Sequence, residues 1–82
     1  MGAFNEHAKN YLAALDMSED DVQAKREKQH EVNRWADMML LVLENPHSTW
    51  VATTIGGVAY EFIADDQMGH GTPATRISYR AV

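Results

Sequence analysis

The sequence predicts an α+β fold, two helices followed by a three-stranded antiparallel β-meander in the order ααβββ. Three observations carry that prediction. Apolar residues recur at helical spacing through Leu43, the pattern switches to alternation after Asn45-Pro46, and Gly56-Gly57 splits the alternating region into two runs that can pair.

The first helix is expected from Asn5 to Leu15. Phe4, Ala8, Tyr11, Leu12 and Leu15 fall on one helical stripe, with Asn5 as N-cap. The second is expected to begin at Ser18. Ser18 reads as an N-cap, Glu19, Asp20 and Asp21 as first-turn carboxylates matched to the helix dipole, and Met17 as a staple onto Val22. Nothing interrupts it before Asn45-Pro46, since proline cannot continue a helix and disfavours the α region in the residue before it. Its first half, from Gln23 to Glu31, is almost wholly polar, which suits a solvated face supported by i,i+4 pairs or, alternatively, a projecting recognition arm. Its second half, Trp35-Ala36-Asp37-Met38-Met39-Leu40-Leu41-Val42-Leu43, has eight apolar residues in nine positions. Val32, Trp35, Met39, Val42 and Leu43 cluster on one side while Met38 and Leu41 point away from it, so cover is expected on two sides.

Beyond the turn Asn45-Pro46-His47-Ser48, the runs Thr49 to Ile55 and Val58 to Ala64 read as strands of a hairpin closed by Gly56-Gly57, residues suited to positive φ. That turn pairs Ile55 with Val58, Thr53 with Tyr60 and Val51 with Phe62 on the core face, and leaves Trp50, Ala52 and Thr54 on the other face. Asp65 to Ala74, with two glycines and a proline, reads as an exposed loop. Thr75 to Val82 alternates again, and pairing Phe62 with Ile77, Tyr60 with Tyr79 and Val58 with Ala81 keeps both alternations in agreement. The long helix is expected to lie across this sheet and the short helix to close one side.

Eighty-two residues make one small domain with a single core, and 45% hydrophobic content at a net charge of -5 is too apolar for a disordered chain. Cysteine is absent, which excludes disulfide staples and thiolate chemistry and agrees with a cytoplasmic location. The longest unbroken apolar run, Met38 to Leu43, falls far short of the roughly 20 residues that span a bilayer, so no membrane partner is expected.

Catalytic and metal chemistry find no foothold. His7, His30, His47 and His70 stand in four separate segments without ligand spacing, and the nearest polar cluster, Asp65-Asp66-Gln67-Met68-Gly69-His70-Gly71, reads as a turn. No nucleophile elbow or phosphate loop is present, and no cofactor or enzymatic activity is expected. Nucleic acid is a poor partner for a chain with 12 acidic and 7 basic residues, although Lys25, Arg26, Lys28 and Arg34, or Arg76 and Arg80, could form a local basic strip.

Protein binding is what remains. The outer sheet face should present Trp50, Glu61, Ile63, Arg76 and Arg80 among small neighbours, and tryptophan and arginine are typical interface anchors; the opposing reading has the first helix cover this face. Glu19, Asp20, Asp21, Asp65 and Asp66 are positioned to meet a basic partner. The expectation is a small acidic inhibitor or adaptor that occupies a surface of another protein, the class that phages and mobile elements direct at nucleic-acid enzymes. A homodimer built on Met38 and Leu41, or on Trp50 and Ile63, is the competing reading, and a weak nucleic-acid binder the third.

Overall fold

The computed structural model describes residues 2–43, 50–69 and 72–82, with the side chains of residues 2, 66–69 and 72–74 outside that description. The elements run α1 (Gly2–Leu15), α2 (Val22–Val42), β1 (Val51–Ile55), β2 (Val58–Gly69) and β3 (Thr72–Ala81), the ααβββ order read from the sequence. The chain divides into two compact units, Met1–Met39 and Leu40–Val82.

In the first unit α1 begins three residues before the expected cap, so Asn5 lies inside the helix. Phe4, Ala8, Tyr11 and Ala14 are its buried positions, spaced i, i+4, i+7 and i+10, while Leu12 and Leu15 are half-buried at the margin of the stripe. The start of α2 also differs from expectation. Asp21, not Ser18, is its N-cap: the Ala24 N–H donates to Asp21 Oδ1 at 2.7 Å and the Lys25 N–H to the Asp21 carbonyl at 3.0 Å. Ser18 Oγ instead accepts from the Asp20 N–H at 3.2 Å, a local turn that holds the linker outside the helix. With the cap at Asp21, three residues beyond Ser18, Glu19, Asp20 and Asp21 stand ahead of the helix and not in its first turn. Val22 is 68% exposed, so the Met17 staple does not form. The shortened helix of 21 residues is about 32 Å long at 1.5 Å per residue.

Most of the polar half of α2 is solvated, and its i,i+4 support comes from amide side chains rather than ion pairs: Gln23 Nε2 donates to Glu27 Oε1 at 3.3 Å and Gln29 Nε2 to Asn33 Oδ1 at 2.9 Å. In the apolar half only Met39 is buried; Leu41 is 77% exposed, and Met38 and Val42 are also exposed. The side of α2 that carries Met38 and Leu41, expected to be covered, is exposed among the described residues.

In the second unit the β1–β2 hairpin has the expected register, with Val51 opposite Phe62, Thr53 opposite Tyr60 and Ile55 opposite Val58. Gly56 and Gly57 take φ of 58° and 79°, as a two-residue hairpin turn requires. The strand order is β1-β2-β3. The segment read as a loop, Asp65 to Ala74, is mostly strand: β2 continues to Gly69 and β3 starts at Thr72. Pairing consequently shifts by two residues, to Phe62 with Tyr79, Tyr60 with Ala81 and Ala64 with Ile77. A two-residue slip preserves which face every side chain takes, so alternation alone cannot detect it; the position of the turn decides it. Phe62 and Ala64 are fully buried and mark the covered face, where Tyr79 lies with its ring centroid 5.8 Å from that of Phe62. The turn Asn45-Pro46-His47-Ser48, Thr49 of the expected first strand, and His70-Gly71 lie outside the described residues.

Candidate functional site

The outer face of the sheet is assembled from one cross-strand row. Ala52 of β1, Glu61 of β2 and Arg80 of β3 are successive partners, so their side chains stand on the same face. Arg80 Nε donates to Glu61 Oε1 at 2.8 Å, and the Arg80 guanidinium carbon lies 3.9 Å from the centroid of the Trp50 ring. Arginine's length is what permits this, because β1 and β3 are separated by β2 and lie on the order of 10 Å apart. The guanidinium plane is thus fixed by a carboxylate and an aromatic face together. Ala52, Thr54 and Ala59 around it are exposed, and Trp50, Glu61 and Ile63 are half-buried.

Of the five residues expected on this face, Trp50, Glu61 and Arg80 form one cluster. Ile63 pairs with Ser78 in the neighbouring row, and Arg76 pairs with Asp65 one row farther on. Four residues of strand put Arg76 about 13 Å from Arg80, so the two arginines do not make a continuous basic strip. Both sit opposite an acidic residue, Arg76 across from Asp65 and Arg80 across from Glu61.

The acidic residues are dispersed in role. Glu19 Oε1 accepts an ion pair from Lys28 Nζ at 3.5 Å, Asp21 caps α2, and Asp20 is exposed. Asp65 is exposed on β2 and Asp66 follows it there, its side chain outside the described residues.

A second feature belongs to the helical unit and has no forecast in composition or motif. Trp35 of α2 stacks on His7 of α1 with centroids 5.8 Å apart and an interplanar angle of 29°, while the Arg34 guanidinium lies 5.0 Å from the same ring. Beside this contact run two adjoining cavities. One of about 220 Å³ is lined by Asn10, Ala13, Ala14, Met17, Glu31 and Trp35. The other, of about 450 Å³, is lined by Met17, Arg26, Glu27, His30 and Glu31. Glu31 Oε2 and His7 Nδ1 are buried with no hydrogen-bond partner among the described residues. Asn10, Ala13, Ala14 and Met17 stand well apart in sequence from Glu31 and Trp35, so only the helix pairing unites them.

Among the described residues no three His, Cys, Asp or Glu side chains gather as a metal site, and no helix is long and apolar enough to cross a membrane. Comparison with protein-family models, with curated proteins and with solved structures finds no match.

Proposed function

We propose that this chain is a small acidic protein-binding module, an inhibitor or adaptor that acts by covering a surface of a partner protein with the outer face of its sheet. The observation that carries this reading is the Arg80 guanidinium held between Glu61 and the Trp50 ring, with the small, exposed Ala52, Thr54 and Ala59 around it. Tryptophan and arginine dominate interface energetics, and an arginine already fixed in one plane loses less conformational freedom when a partner docks. A net charge of -5 with Asp20 and Asp65 exposed favours a basic partner and faster encounter with it.

The test is affinity capture from nuclease-treated lysate, followed by direct titration of the captured protein against wild type, Trp50→Ala and Arg80→Ala. Each substitution should weaken binding about thirtyfold, the roughly 2 kcal/mol expected of an interface anchor, while folding remains intact by circular dichroism. Wild-type affinity in both variants would falsify the sheet-face reading. Asp20→Lys should lower the association rate chiefly at low salt, where exposed charges are least screened.

A second reading, self-association into a homodimer, is favoured by the exposed Leu41, Met38 and Val42 on α2. It predicts a solution mass of two chains that falls to one on Leu41→Lys.

A further inference from the structure

We propose that the groove between α1 and α2 receives a lysine side chain of a partner protein, its ammonium held by Glu31 and its alkyl stem lying along Ala13, Ala14, Met17 and Trp35. The inference rests on the protein-binding reading only for the source of the lysine; the groove's chemistry stands separately.

Glu31 is a carboxylate in search of a cation. On a helix its natural partners are the basic residues three or four positions away, and here both candidates are engaged elsewhere. Lys28 Nζ pairs with Glu19 at 3.5 Å, and the Arg34 guanidinium lies against Trp35. The residues four positions away, Glu27 and Trp35, offer no positive charge. One oxygen, Oε2, is closed to solvent and receives no hydrogen bond from any described residue. A carboxylate partly withdrawn from water without a donor is destabilised, and a cation brought to its accessible side offsets that cost.

The lining selects which cation. Glu31 is the sole charged group lining the 220 Å³ cavity; Asn10 is its other strongly polar residue, and Ala13, Ala14, Met17 and Trp35 are apolar or aromatic. Lysine buries its four-carbon stem on such a surface and presents a compact charge at the end. Arginine is matched less well, because its planar fork favours two carboxylate oxygens and Oε2 is closed off. The adjoining 450 Å³ cavity is lined by Met17, Arg26, Glu27, His30 and Glu31: an arginine already stands beside its two carboxylates and Met17 is its one apolar residue, so the smaller cavity, with Ala13, Ala14, Met17 and Trp35 beside Glu31, is the better seat for a lysine stem.

The experiment titrates the full chain with Nα-acetyl-lysine N-methylamide and follows the Trp35 indole N–H by nuclear magnetic resonance, identified by its persistence in Trp50→Phe. A saturable shift with a millimolar constant is expected, at least tenfold weaker in Glu31→Gln and with the norleucine analogue, which has the stem without the charge. Ala13→Leu, which narrows the groove and leaves Glu31 in place, should abolish it, so the question remains answerable if one variant fails to fold. Equal binding of the norleucine analogue, or an unchanged constant in a folded Glu31→Gln, overturns the proposal. So does tenfold tighter binding of butane-1,4-diamine, which would make the ligand a free polyamine. If lysine fails here while Trp50→Ala still abolishes partner capture, the groove assignment alone falls; if lysine binds while Trp50→Ala captures normally, the sheet-face reading alone falls.

Discussion

At the scale of single residues, three positions show how a side chain's role depends on its partner rather than its type. Asp21 looks like one of three equivalent carboxylates, yet it alone caps α2. Asp21→Ala should therefore cost about 1 kcal/mol, read as a lowered denaturant midpoint, whereas Asp20→Ala, which removes an exposed side chain, should change stability by less than about 0.5 kcal/mol. Gly57, at φ of 79°, has open space where a Cβ would sit, so Gly57→Ala should be penalised only through the backbone, by about 1 kcal/mol, and Gly57→Asn by less. The sequence reading puts the cap at Ser18 and Asp21 inside the first turn, and the structure puts the cap at Asp21. Which of the two is used depends on where the linker turns, and that turn is local geometry no residue type announces.

At the scale of elements, the long β2–β3 ladder is the main departure from the reading of glycine and proline as loop markers. Gly69, Thr72 and Pro73 stand at the far end of the ladder, where a glycine or proline interrupts little of the pairing. Alternation identified both strands and their faces, but it repeats every two residues and so allows either register. The absence of cysteine makes a direct check possible: Asp65→Cys with Arg76→Cys should oxidise readily to a disulfide, since these residues are direct partners, and Asp65→Cys with Ala74→Cys, the pair favoured by the shorter register, should not. Mass spectrometry under mild oxidation distinguishes the two. Helix α2 gives the matching contrast in burial. Met39→Ala should cost about 2–5 kcal/mol, while Leu41→Lys, two residues on, should lie within about 0.5 kcal/mol of wild type.

At the scale of the whole molecule, stability rests on few large side chains. Among the described residues Met39 and Phe62 are the largest fully buried ones, one in each compact unit, and a chain of 82 residues has a small margin to lose. Phe62→Ala should cost about 3–5 kcal/mol and leave the protein largely unfolded at 37 °C by circular dichroism. What the amino-acid sequence determined by itself was local and periodic: the ααβββ order, the Gly56-Gly57 hairpin with its register, and the face shared by Trp50, Glu61 and Arg80, because each follows from spacing along a continuous segment. What only the tertiary structure decided was where equivalent local choices resolve and which distant residues meet. The two-residue offset of β3 depends on where its hairpin turns, the Arg80 contact with Trp50 on a reach across an intervening strand, and the unpaired carboxylate of Glu31 on α1 packing beside α2. These outcomes depend on separations through space, which neither composition nor periodicity encodes.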